Sequence, residues 1–128
     1  ESMTAKHRLK LQARIYCGDE IAMGPGKADL LEAIDHEGSI SAAARVLGMS
    51  YRRAWLLVDA MNRCWKVPLV EAVAGGGRER GARVTEDGRT VLAQFRGLQA
   101  RMAQLAQSEE YAALEQTLRR DPLAQKAP

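Results

Sequence analysis

The sequence predicts an α+β fold that is mainly α, and three observations carry that expectation. Two short helical stretches meet at a glycine within GSISAAARVLGMSYRRAW, Gly38 to Trp55. A strand–loop–strand pattern comes next, with the glycine-rich loop AGGGRERG between its strands. A longer apolar stripe at helical spacing then runs from Val91 to Leu105. Together these describe a winged helix-turn-helix with an N-terminal β-hairpin and a long C-terminal dimerisation helix.

The chain has 128 residues, the length of one domain or one domain plus an appendage. At 46% hydrophobic and 27% charged it has a globular balance, which excludes a wholly disordered chain, a collagen and a disulfide miniprotein. No stretch approaches the ~18 consecutive apolar residues of a spanning helix. No signal-peptide core lies near the start, which points to the cytoplasm. The expected division is residues 1–7 as a disordered N-terminus or vector-derived remnant, 8–85 as the winged domain with its hairpin, 86–120 as a helical dimerisation segment, and 121–128 as a frayed tail.

From Arg8 the chain alternates: Leu9, Leu11, Ala13 and Ile15 interleave with Arg8, Lys10, Gln12 and Arg14. A period of two predicts a half-buried strand. Cys17 to Glu20 supplies a turn, and Ile21 to Met23 returns as a short partner. Leu30, Leu31 and Ile34 mark a helix from about Lys27 to Glu37, ended by Gly38. Ser41 is then expected to cap a helix from Ala42 to Leu47, and Ser50 the next from Tyr51 to about Cys64. Leu69 to Val73 and Ala82 to Val84 are β-prone. Thr85 caps the long helix, with Glu86 and Asp87 matched to the positive end of its dipole. Val91, Phe95, Leu98, Met102 and Leu105 repeat at spacings of four and three, a short coiled-coil-like seam that predicts pairing of two copies. Ser108-Glu109-Glu110 begins a last helix carrying Tyr111, Leu114 and Leu118.

The helix pair carries the chemistry. Ala43 and Ala44 are small where the second helix must approach closely, and Gly48 can adopt the left-handed turn. Ala54 and Leu57 face the core, which leaves Ser50, Tyr51, Arg52, Arg53 and Leu56 outward near the start of the second helix. Such groups reach phosphates, base edges and thymine methyls in a major groove. Between Ser41 and Arg83 eight basic residues face three acidic ones, a net of +5 where the whole chain carries +3. A phosphate-facing surface looks like this, and so does a solvated arginine-rich face. Arg78, Arg80 and Arg83 on the glycine-rich loop and its second strand suit the backbone or minor groove. A nucleotide phosphate loop does not fit, because no Lys-Ser/Thr comes after the glycines.

From Lys27 to Leu105 the chain resembles the N-terminal DNA-binding domain of ModE-type molybdate-responsive regulators, and more distantly LysR-type regulators. The matching pieces are GSISAAARVLGMSYRRAW, the Met61-Asn62 pair, the GGG loop and VTEDG before the long helix. The resemblance implies a winged helix, a homodimer through the long helix, and promoter binding. The segment C-terminal to the wing reads as helix, whereas that family carries β-rich molybdate modules there. The resemblance therefore extends to DNA binding and leaves oxyanion sensing and any effector open. The hairpin also fits stand-alone relatives, an expectation that this is a complete small protein.

Other residues read more plainly. Cys17 and Cys64 form no CxxC and no zinc pattern with His7 and His36. They read as two reduced thiols, with a redox pair or metal site as the alternative. Trp55 either packs near the recognition helix and wing or stacks on bases. Glu32, Asp35 and Glu37 read as a solvated face. No nucleophile motif is present, so no enzyme, metal or cofactor is expected. The expected function is a dimeric, sequence-specific transcriptional regulator on double-stranded DNA; the rival is a winged helix used for protein contacts.

Overall fold

The computed structural model describes residues 8–74 and 80–128. The expected N-terminal remnant at 1–7 and the loop arginine Arg78 lie outside the described residues. In chain order the elements are β1 (Ile15–Cys17), β2 (Glu20–Met23), α1 (Pro25–Glu37), α2 (Ile40–Leu47), α3 (Tyr51–Cys64), β3 (Val70–Val73), β4 (Gly81–Val84), α4 (Glu86–Ala103) and α5 (Glu109–Thr117), with a 3-10 turn at Gln104–Gln107. They form two compact units. One is Gln12–Gln99; the other joins the described residues up to Leu11 with Ala100–Pro128.

In the larger unit β1 and β2 pair antiparallel, with Tyr16 against Ile21 and Cys17 against Glu20. The alternation from Arg8 does not extend the strand. β2 ends at Met23 and Gly24 leads into α1, so residues 8–14 have no strand partner among the described residues for their backbone groups. Pro25 opens α1, and Gly38 closes it at φ 83°. The next residue, Ser39, is already the cap of α2: its Oγ accepts the Ala42 amide at 3.0 Å. Ser39, rather than Ser41, therefore caps α2, because α1 and α2 are joined by only two residues and Ile40 begins the helix. Gly48 at φ 69° makes the turn, and Ser50 Oγ accepts the Arg53 amide at 3.0 Å to start α3.

The core gathers one face from each helix. Met23, Leu30, Leu31, Ile34, Met61, Leu69 and Val84 are fully buried, and Ala43, Ala44 and Ala54 allow the close crossing. Burying side chains of this size stabilises by about 1.5–3 kcal/mol each. Phe95 of α4 belongs to this core at 2% exposure. Phe95, expected in the dimer seam, is thus packed into its own unit.

Two polar junctions fix the wing. Asn62 Oδ1 accepts the Leu69 and Val70 amides at 2.8 and 3.2 Å, and Asn62 Nδ2 donates to the Val70 carbonyl at 3.0 Å. Thr85 Oγ1 caps α4 by accepting the Gly88 amide at 2.9 Å while donating to the Pro68 carbonyl at 2.8 Å. α4 passes so close that a Cβ on Gly88 would collide with the Leu69 carbonyl and Val84. β3 and β4 pair in register, Val70 against Val84 through Val73 against Gly81. The Ala82 amide then donates to the Gly38 carbonyl at 2.9 Å. Arg96 reaches Asp29 at 2.9 Å and Glu32 at 2.8 Å, and Arg89 reaches Asp35 at 3.1 Å, so most of the acidic face of α1 is paired to α4.

In the smaller unit Ser108 caps α5 by accepting the Tyr111 amide at 3.1 Å. Arg8 donates to the Tyr111 hydroxyl and the Arg119 carbonyl. α5 has no buried residue, and Leu114 and Leu118 are exposed. α4 ends at Ala103, so Leu105 lies in the 3-10 turn and not on the helix of the expected seam. Among the described residues no helix is long and apolar enough to cross a membrane.

Replacing Asn62 by leucine strands two amides and a carbonyl, and is expected to cost about 2–3 kcal/mol in urea unfolding. Gly88→Ala should cost about 1–3 kcal/mol by overpacking. A loss below 0.5 kcal/mol in either (roughly a neutral surface change) contradicts the corresponding junction.

Candidate nucleic-acid interface

α3 presents a surface because three of its residues anchor it. Ala54, Val58 and Met61 are buried at one-turn spacing, which turns the remaining faces outward. On those faces Tyr51, Arg52, Arg53, Trp55 and Leu56 are exposed, Trp55 and Leu56 each by 47%. Leu57, expected in the core, is partly buried at its edge. Ser50 spends its Oγ lone pair on the Arg53 amide, and its hydroxyl hydrogen remains able to donate. The amides of the first turn and the helix dipole add partial positive charge at the same end.

Tyr51, Trp55, Val58 and Asn62 recur at spacings of four, three and four, one stripe of α3. The stripe lines a cleft of about 400 Å³ together with Ser41, Glu71 and Arg80. The fold therefore brings the expected Tyr51 and Arg80 together. It adds Ser41, expected as a cap, and Trp55, expected either to pack near the recognition helix and wing or to stack on bases. The i to i+4 relation of Tyr51 and Trp55 is the signal for that shared face. Arg52 and Leu56 occupy a neighbouring stripe.

The arginines divide by their partners. Arg83 is engaged by Glu71, with its Nη2 and Nε both 2.9 Å from Glu71 Oε1. Arg63 is engaged by Asp59 and Glu20, each at 2.9 Å. Among the described residues Arg52, Arg53 and Arg80 form no ion pair. Among the described residues, arginines without an ion-pair partner thus stand at the start of α3 and at the edge of the wing, and Lys66 is unpaired beyond the other end of α3. No three His, Cys, Asp or Glu side chains converge as a metal cluster among the described residues.

In the larger unit a second, almost wholly apolar recess of about 370 Å³ is lined by Ile15, Trp65, Val91, Gln94, Phe95 and Leu98. Leu98 is 40% exposed and Val91 half-buried. Met102, half-buried, and Leu105, exposed, belong to the smaller unit.

Comparison with known proteins agrees with this architecture. The family model described as bacterial regulatory helix-turn-helix protein, lysR family, matches residues 27–89. The chain is 44% identical over 78 residues to the molybdenum transport protein ModE of Azotobacter vinelandii, a match covering 61% of this chain and 29% of that protein. It is 35% identical over 84 residues to the DNA-binding transcriptional dual regulator ModE of Escherichia coli (strain K12), covering 66% of this chain and 30% of that one. The chain thus spans less than a third of the length of these relatives. The PcaV transcriptional regulator from Streptomyces coelicolor, crystallised with its natural ligand, shares the fold at a TM-score of 0.55 and 22% identity, over 73% of this chain and 69% of that one.

The Glu71–Arg83 pair yields a test. Glu71→Gln releases Arg83 and is expected to tighten binding to mixed-sequence duplex, steepening the salt dependence by about one unit. An unchanged slope in a salt titration means that Arg83 stays clear of phosphates even when released.

Proposed function

Since residues 27–89 belong to the lysR family of bacterial regulatory helix-turn-helix proteins, and the chain carries a ModE-like winged DNA-binding domain of transcriptional regulators, we propose that it acts as a cytoplasmic homodimer on a specific duplex operator. The family is one of regulators and not of catalysts. The observation that carries the proposal is the exposed first turn of α3. There Arg52 and Arg53 have no ion-pair partner among the described residues, on a helix anchored by Ala54, Val58 and Met61.

In this reading α3 enters the major groove. Ser50 and the first-turn amides hold a phosphate, Tyr51 and Arg53 anchor beside it, and Arg52 and Leu56 face base edges and thymine methyls. Arg80, with Arg78 and Arg83 near it in sequence, supplies wing contacts to the backbone or minor groove. Trp55 closes the cleft behind them. Val91 and Leu98, with Met102 and Leu105, pair two copies so that recognition helices meet successive grooves about 34 Å apart. Phe95 lines the same recess as Val91 and Leu98. The proposal takes DNA binding from the relatives and leaves their molybdenum chemistry aside.

Fluorescence anisotropy against upstream DNA of its own locus, beside a scrambled duplex, tests the reading. Tight, salt-dependent binding to the native duplex alone is expected, and equal binding to both would count against specific readout. Arg52→Ala should lose ~1–3 kcal/mol and relax preference at one position, whereas Arg80→Ala should weaken all sequences alike and lower the salt slope by about one. Leu98→Glu places a charge in the pairing face and should shift the chain to monomer in sedimentation velocity. A dimer that survives it locates the interface elsewhere.

A further inference from the structure

The two cysteines are 47 positions apart in the sequence, Cys17 and Cys64. The fold brings them together by a set of contacts that surround them. Cys17 ends β1 and is paired with Glu20 across the hairpin. Glu20 Oε1 takes Arg63 Nη2 at 2.9 Å, and Arg63 immediately precedes Cys64, the last residue of α3. On the other side of Cys64, Trp65 Nε1 donates to the Ala22 carbonyl of β2 at 2.9 Å. Both neighbours of Cys64 are therefore bonded to the hairpin that carries Cys17. Cys17 and Glu20 of the hairpin both act on the Cys64 thiol. Both thiols are free, Cys17 exposed and Cys64 half-buried.

We propose that Cys17 and Cys64 form a peroxide-sensitive pair that closes an intrachain disulfide, fastening the hairpin to the C-terminal end of α3. The two positions differ in a way that orders the chemistry. Burial pushes the Cys64 thiol up, and the neighbouring Cys17 adds to the effect. Cys17 is the thiol that solvent reaches. Its thiolate attacks one oxygen of hydrogen peroxide, the O–O bond breaks, and hydroxide leaves and takes up a proton as water. The sulfenic acid on Cys17 is then attacked by Cys64 sulfur. The S–O bond breaks, the Cys64 proton leaves with the hydroxyl as a second water, and the S–S bond remains. In total two thiols and one peroxide give one disulfide and two waters.

The link lies at the end of α3 remote from Ser50 to Arg53. It therefore stiffens the attachment of the recognition helix and leaves its exposed first turn uncovered. This inference does not depend on DNA binding, and its test needs no DNA.

The full chain, reduced and then freed of reductant, is treated with stoichiometric hydrogen peroxide. The expected result is loss of both reactive thiols, a mass loss of two hydrogens, and a peptide in which Cys17 is joined to Cys64, with no covalent dimer on a non-reducing denaturing gel. The reaction in buffer should outpace that in urea by about tenfold or more, because folding raises the local concentration of the partner thiol. Cys17→Ser should leave Cys64 reduced, and the wild-type thiol count decides the matter even where that variant folds poorly. Sulfinic acid on Cys17 without a cross-link, a disulfide between two chains, or equal rates in buffer and urea would each overturn the pair.

Discussion

The side-chain amide of Asn62 is the joint on which the candidate interface depends. It sits on α3, three turns beyond the exposed start of that helix, and holds both amides and one carbonyl at the entry to β3. Each bond is worth only about 1 kcal/mol net. Their common effect is geometric, because one rigid group sets the angle at which the wing leaves the recognition helix. β4 is placed through the β3 ladder, and the Ala82–Gly38 bond returns the wing to the turn between α1 and α2. The relation of Arg80 to Tyr51 and Trp55 is inherited from that joint.

One residue type serves three purposes across the surface. Arg89 and Arg96 tie α4 to the acidic side of α1. Arg63 and Arg83 are neutralised by carboxylates close by. Exposed pairs of this kind contribute at most about 1 kcal/mol each to stability. Their larger consequence is which arginines of the helix-turn-helix and wing they leave without a counter-charge among the described residues: Arg52 and Arg53 at the start of α3, and Arg80 at the wing. A modest net charge of +3 becomes directional in this way.

The helix-turn-helix is legible in the sequence because its rules are local. Gly48 is needed for the left-handed turn, Ser50 for the cap, and the alanines for the crossing, and each requirement is met within a few residues of the position concerned. Sequence and structure part where two local solutions compete. Ser39 and Ser41 both precede a helical run, and the choice falls to the one that the short connection from Gly38 allows. The alternation from Arg8 satisfies the strand period without a partner among the described residues to complete a ladder. In the expected seam, Phe95 and Leu105 keep the spacing of their neighbours, yet one ring is drawn into the core and the other side chain falls beyond the end of α4.

The sequence by itself determined the order of elements, the caps and turns of the recognition motif apart from the start of α2, and the excess of positive charge around it. These arise from backbone preferences and periodicities that act over one or two helical turns. Tertiary structure alone decided which arginines lack a carboxylate partner among the described residues, that Trp55 shares a cleft with Arg80, that Phe95 faces inward, and that Cys17 meets Cys64. Those facts depend on bonds and packing between residues far apart in the chain, as where Arg63 and Trp65 bond to the hairpin that carries Cys17. Such contacts are set by how the elements pack against one another, and neither period nor propensity encodes which side chain will find which partner.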